Sequence, residues 1–295
     1  MTLAATRDAI FPRRRTAPPP PAFRHGRFAL SILSDGALTL GGEILAPDAA
    51  PPARAALLAR LGGDAAGAPV RMNLPLIRAG DELIAIDAGA GDAFQASAGR
   101  LARNLAAAGI DRRAVTRVIL THAHPDHVGG VIQPDGELLF PNADHHVGRV
   151  EWDFWTDPRF EERRPPALHG FARTAARALD AVAERLHLHA PGDEVVPGLR
   201  LLATPGHTPG HMSVELDGPE PLLLVGDACT HDVVFFENPG WRFGFDTDPD
   251  LALATRRRLL DRAAADRLLV LGCHWTRPLP GRVERRGAAY RLAPA

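Results

Sequence analysis

Apolar residues along the chain fall into short runs punctuated by Gly, Pro and Asp. Phe28 to Leu33 and Ala37 to Leu40 flank Ser34-Asp35-Gly36, and Asp-Gly between two such runs predicts a hairpin. A second hairpin is predicted where Asn73 to Arg78 and Leu83 to Asp87 flank Ala79-Gly80-Asp81. Between them lies an Ala-, Pro- and Gly-rich stretch with a short helix at Ala53 to Leu61. The next predicted helix runs from Ser97 to Ala108 and closes at Gly109, a favoured residue after a helix end. Val115 to Leu120, rich in β-branched residues, reads as a buried strand. Leu168, Phe171, Ala175, Leu179, Val182 and Leu186 recur in steps of three and four, which predicts a one-sided helix. Strands follow at Leu199 to Ala203, Leu222 to Val225 and Leu268 to Leu271, with a helix from Pro249 to Ala265 between the last two. Strands and helices alternate without repeat, so the class is α/β with hairpins.

The 295 residues fit one large domain or two small ones. A hydrophobic share of 45% with 23% charged residues describes an ordinary globular composition. Net charge is −1 with no long block of like charge, so a nucleic-acid partner is not expected. No apolar run approaches the ~20 residues that span a bilayer. Cys229 and Cys273 form no CxxC pair and suggest no disulfide framework. Arg13-Arg14-Arg15 could open a twin-arginine signal, but Thr16, Ala17 and Pro18 to Pro21 follow instead of an apolar stretch. Residues 1–22 therefore read as a stiff proline-rich arm, and 23–295 as one catalytic domain. A cytoplasmic setting is expected.

The chemistry concentrates in Thr121-His122-Ala123-His124-Pro125-Asp126-His127-Val128-Gly129-Gly130, directly after the strand Val115 to Leu120. Imidazole and carboxylate are the usual ligands of zinc and similar ions, and a solvated loop has no need of four such residues in six. His207 follows the strand ending at Ala203, Asp227 follows Leu222 to Val225, and His274 follows Leu268 to Leu271. Every group thus falls just past the carboxyl end of a predicted strand, the edge where open α/β sheets place their sites. Five histidines and two aspartates exceed one tetrahedral zinc with an open position. They suit two metals about 3.5–4 Å apart with one carboxylate bridging.

With these motifs the chain resembles the metallo-β-lactamase superfamily from roughly Phe28 onward. That resemblance implies a four-layer αβ/βα sandwich with metals at one edge. It implies His122, His124 and His207 on a first metal, Asp126, His127 and His274 on a second, and Asp227 between them. The penicillin-degrading members replace the bridging carboxylate by cysteine, and flavodiiron members carry Glu where His124 stands. Phe140-Pro141-Asn142-Ala143, the stretch Glu151 to Pro158, and Ala254-Thr255-Arg256-Arg257 look like the methyl parathion hydrolase and lactonase branch.

The expected cofactors are two divalent ions, zinc foremost, with manganese, iron or cobalt as alternatives. Metal-held hydroxide would attack a lactone, carboxylic ester or phosphotriester, with Asp126 orienting the nucleophile or passing a proton. Alternatives are a mononuclear-iron persulfide dioxygenase and a glyoxalase II-like thioester hydrolase; the latter's extra C-terminal domain has no room here. Trp152, Phe154 and Trp155 form one aromatic cluster and Phe235, Phe236, Trp241, Phe243 and Phe245 another. Each either packs into the core or, falling in a loop-like segment, walls a pocket for a small hydrophobic substrate, with Trp152, Trp155, Phe235 and Phe236 as the wall candidates and His231 beside them. A homodimer is left open. His145 and His146 are expected at the surface or supporting a ligand. His187 and His189 should close a helix, His211 should pack or support, and both cysteines should be small core residues.

Overall fold

The computed structural model describes residues 19–92 and 94–295. The expected arm lies outside the described residues up to position 18, and Pro21 offers its carbonyl to Ile32 N. One sheet contains β1 (Ala22–His25), β2 (Phe28–Leu40), β3 (Ala68–Ala79), β4 (Glu82–Ile86), β5 (Arg117–Ile119), β6 (Asp144–Gly148) and β7 (Leu186–His189), neighbours in chain order. It is antiparallel to β4 and parallel from β4 to β7. The other contains β8 (Glu194–Val196), β9 (Leu199–Ala203), β10 (Met212–Leu216), β11 (Leu222–Leu224), β12 (Leu269–Leu271), β13 (Gly281–Arg286) and β14 (Ala289–Pro294). Only its β11–β12 pair is parallel.

Helices α1 (Gly42–Leu45) and α2 (Pro51–Arg60) follow β2, while α3 (Leu101–Ala107) and α4 (Pro125–Val128) flank β5. Then α5 (Arg149–Trp155), α6 (Phe160–Arg163) and α7 (His169–Ala181) connect β6 to β7, and α8 (Val234–Glu237) and α9 (Pro249–Ala265) connect β11 to β12. No helix among the described residues is long and apolar enough to cross a membrane.

Strands buried on both faces explain the layering. In β4, Ile84 and Ile86 face the second sheet, while Leu83 and Ala85 meet the core under α3 and α7. In β12, Leu269 and Leu271 point between the sheets and Val270 points toward α9. The result is helix, sheet, sheet, helix, the expected four-layer sandwich.

Three expectations need correction. Ser34-Asp35-Gly36 makes no hairpin: β2 runs straight through, with a register shift between Ser34 and Gly36. Asp35 is 0% exposed, and its carboxylate accepts from Ala90 N (2.8 Å), Gly99 N (3.2 Å) and Leu101 N (2.6 Å). Gly36 lies at φ +104°, where a Cβ would sit 2.2 Å from Ser97 O. The Asp-Gly signal marks a bulge that pins a distant loop. By taking those amides, Asp35 also delays the helix predicted from Ser97, which starts at Leu101. The helix predicted to Leu186 stops at Ala181, and Leu186 opens β7, so His187 and His189 belong to a strand.

Asp35→Ala strands three buried or half-buried amides at a cost of about 1–3 kcal/mol for each left unpaired. A stability loss of about 3 kcal/mol or more is expected in urea unfolding. A loss under about 0.5 kcal/mol would show that the bulge carboxylate is dispensable.

Candidate metal centre

The carboxyl ends of β4, β5, β9, β11 and β12 deliver Asp87, the His122–His127 loop, His207, Asp227 and His274 to one edge between the sheets. His122, His124 and His207 offer ligand atoms within 4.8 Å of one another, as do His122, His127 and Asp227. His274 Nε2 lies 3.3 Å from His127 Nε2 and 3.3 Å from Asp126 Oδ2. Asp227 stands between the two groups. Its Oδ2 is 3.3 Å from His207 Nε2, and its Oδ1 is 3.4 Å from His274 Nε2 and 3.7 Å from His127 Nε2.

The buried Nε2 atoms of His122, His124 and His207, and Asp227 Oδ1, have no hydrogen-bond partner among the described residues. Buried polar atoms are ordinarily paired, and unpaired lone pairs converging on common points suit cations. The ring nitrogens facing away are held. His127 Nδ1 meets Asp87 Oδ2 at 2.8 Å, His207 Nδ1 meets Asp246 Oδ1 at 2.9 Å, and His274 Nδ1 meets the Arg71 carbonyl at 2.9 Å. His122 Nδ1 lies 3.1 Å from Thr121 Oγ1, which donates to Asp87. A proton held on each Nδ1 leaves Nε2 as the atom that meets a cation at the cluster.

Other groups fix the backbone. Asp87 adopts φ +63°, unusual without glycine, and accepts from Thr121 N at 2.8 Å. Asp227 N donates to His211 Nε2 at 3.0 Å. The His211 Nδ1 proton then points to Thr204 Oγ1 at 2.8 Å, and the chain continues through Ser213 Oγ to the Val225 carbonyl. Gly226, at φ +53°, permits this approach because a Cβ would lie 2.7 Å from His211 Nε2. Glu151, wholly buried on α5, accepts from Ala123 N, Trp155 Nε1, Thr208 Oγ1 and Gly210 N, tying the His124 loop to the His207 loop.

Electrostatics separate the two groups. Burial, then the neighbouring rings, push His122 and His124 well below the usual imidazole range, leaving them neutral. Burial would lower His127 and His274 too, but carboxylates outweigh it, Asp126 foremost at His127 and Asp227 at His274, and both are held well above that range. Burial likewise would raise Asp126, yet His127 and His274 bring it down to about 2. The second group is a site that attracts positive charge.

A pocket opens over this cluster, walled by Leu38, Leu40, Phe94, Phe171, Phe243 and Phe245, with His124, Asp126, His207, Asp227, Thr230 and His274 below. Asp126 retains 13% side-chain exposure toward it. Of the two aromatic clusters in the sequence, only Phe243 and Phe245 line this pocket. Trp155, Phe235 and Phe236 are buried core residues, Trp152 packs against the same core as Trp155, and none of the four lines the pocket. Trp152 and Trp155 are helical, and Trp155 backs the His124 ring from 5.6 Å. His231 lines an adjoining cavity instead. His145 and His146 are buried in β6, not at the surface, and His146 Nδ1 lies 2.9 Å from His189 Nε2. Cys229 and Cys273 are buried thiols that burial pushes up to about 12 and about 11. The Cys273 sulfur nonetheless lies within 4.8 Å of ligand atoms of His127 and His274.

Asp87 and Asp246 were not singled out by sequence, and Glu151 entered only as the first residue of a family-like stretch. Asp87 alone carried a signal, since it too ends a predicted strand.

A family model described as "Metallo-beta-lactamase superfamily" matches residues 73–274. An N-acyl homoserine lactonase from Bacillus sp is 32% identical over 178 residues, 59% of this chain and 62% of that protein. The match therefore spans less than two thirds of that relative's length. Among solved structures, "hydrolase AbOPH in beta lactamase superfamily" superposes with TM-score 0.85 at 28% identity, covering 93% of this chain and 96% of that one. AidC, described as "a Dizinc Quorum-Quenching Lactonase" in complex with a product, gives 0.84 at 27% identity, covering 94% and 97%.

Carboxylates that orient ligand histidines contribute about 10–100-fold to metal affinity. Asp87→Ala and Asp246→Ala should each weaken metal retention by that factor in chelator competition, while His146→Ala should not. Parent-like titrations for both aspartate variants would contradict the convergence described above.

Proposed function

Because this chain belongs to the metallo-beta-lactamase superfamily, we propose that it is a hydrolase with two divalent metal ions that opens lactones bearing an apolar substituent. The observation that carries this reading is Asp227, whose two oxygens face two different sets of donors. His122, His124 and His207 would hold one ion, Asp126, His127 and His274 the other, and Asp227 both. Zinc suits this imidazole and carboxylate set, and the similar AidC is described as dizinc. A single-iron dioxygenase would leave the second set without a role. When bound, such a pair supplies hydroxide at neutral pH and polarises the reacting carbonyl.

The chain's own groups do the rest. Asp126 is the cluster's most accessible carboxylate. Ionised, it accepts the proton of the attacking water and returns it to the ring oxygen as the C–O bond breaks, leaving a hydroxy acid. Phe171 and Phe245 pack edge-to-face 5.7 Å apart, and Phe171 stands 5.2 Å from the His124 ring, so an apolar tail can lie directly beside the reacting carbon. The only tyrosine, Tyr290 on β14, donates to Asp261 on α9 and does not line the pocket.

Metal-loaded protein should contain about two equivalents by elemental analysis, and Asp227→Ala should lose at least one together with nearly all turnover. A plateau at one equivalent in the parent would remove the dinuclear reading.

Long-chain lactones should be cleaved faster than short polar ones, since each methylene buried contributes about 0.8 kcal/mol, roughly fourfold in kcat/KM. Phe171→Ala should flatten this dependence with metal content unchanged. Equal rates across chain lengths in the parent would rule out the apolar wall as a substrate surface.

A further inference from the structure

A second cavity, of about 730 Å³, reaches the candidate centre from the other side of His274. His274 is the only described residue lining both spaces. Where the first is walled by aliphatic and aromatic side chains, the second presents Arg60, Arg71, His231, Glu237 and Thr276.

Not every charge there is paired. Arg60 is matched by Glu237 at 2.6 Å. The Asp232 carboxylate lies 3.5 Å from His231 Nδ1 and accepts from Thr276 N at 2.9 Å and from its hydroxyl at 2.6 Å. Arg71 forms no ion pair among the described residues, while its backbone carbonyl, holding His274 Nδ1, anchors it beside the centre. His231 is 1% exposed, and its Nδ1 accepts from Val233 N at 3.2 Å. The proton of the neutral ring therefore sits on Nε2, which has no partner among the described residues and is not sealed in the core. A cation without a counter-ion and an N–H donor without a protein partner thus line one space, with the reacting centre at its wall.

We propose that this cavity is a carboxylate subsite in which the Arg71 guanidinium and the His231 Nε2–H bind an anionic oxygen pair. The identity of its occupant rests on the lactonase reading. Ring opening turns a neutral ester into a carboxylate, which must leave the metal ions, and a chamber bearing Arg71 and His231 beside His274 draws it away. The same groups would equally hold a carboxylate carried by the substrate itself.

The test uses metal-loaded, full-length protein. Binding of the hydroxy acid from ring-opened γ-decalactone is measured by calorimetry, with decanol as the uncharged comparison. Arg71 is exposed, so Arg71→Gln leaves the fold in place, and metal content is checked for each protein. Arg71→Gln should weaken hydroxy acid binding about tenfold, as expected for one lost hydrogen bond to a charged group. Decanol binding should change less than about twofold (~0.4 kcal/mol), and Arg71→Lys should restore most of the loss. The ratio of KM values for a carboxylate-bearing butyrolactone and a neutral lactone then separates the sources. An unchanged ratio in Arg71→Gln assigns the subsite to product, and a raised ratio assigns it to substrate. Hydroxy acid binding within about twofold of the parent in Arg71→Gln, with both metals present, would overturn the subsite. If the parent cleaves no lactone, the lactonase reading fails while the binding comparison still decides the subsite.

Discussion

Burying imidazoles and carboxylates together is costly unless each polar atom finds a partner. Here His122, His124, His127, His207, Asp227 and His274 are all nearly inaccessible, and four of their polar atoms have none among the described residues. The surroundings make sense as the apparatus that holds such a set in place against that cost. Asp87, Asp246 and the Arg71 carbonyl take the outward nitrogens of His127, His207 and His274, so these three tautomers are set by groups outside the cluster. What remains is a concentration of lone pairs that only positive charge can satisfy, at an edge supplied by strand ends from both sheets.

The sandwich makes that edge rigid. Strands packed on both faces cannot shift register without moving an apolar row into the wrong layer. The loops leaving them are laced together across the sheets. Glu151 joins Ala123 to Thr208 and Gly210, and His211 passes a directed chain of hydrogen bonds from Asp227 to the Val225 carbonyl. Burial raises the Glu151 carboxyl above its usual range despite its four donors, the mark of a group kept for geometry at electrostatic expense. On either side of this frame, a pocket with aromatic walls and a chamber bearing Arg71 and His231 give the centre two unlike neighbours.

Much of this was legible because the chemistry is local in sequence. Four ligand-type residues lie within one six-residue loop, and the other three each follow a short apolar run. Strand β11, buried at every position, and helix α9, with a clear start and stop, were readable for the same reason. The misreadings arose where a residue's role lies far along the chain. Asp35 looks like a turn residue, yet its partners are 55 to 66 positions away. Strand β6 reads Asp-His-His-Val-Gly and shows no apolar run, because it is sheltered by neighbours on both sides and by α5. The clustered tryptophans look like a substrate mouth, but a helix turns them inward, and the pocket walls combine Phe243 and Phe245 of the second cluster with the scattered Leu38, Phe94 and Phe171.

Each sheet is built from one contiguous half of the chain, and each half holds only part of the centre. During synthesis His122, His124, Asp126 and His127 emerge with the first sheet, but His274 lies 147 positions beyond His127. At about 5–20 residues per second, roughly 7–30 s pass before the ribosome supplies that last imidazole. For that interval the nascent chain displays an open, half-built ligand set that can capture a stray ion but cannot enclose one, so the order of translation itself delays completion of the centre until the fold can close over it.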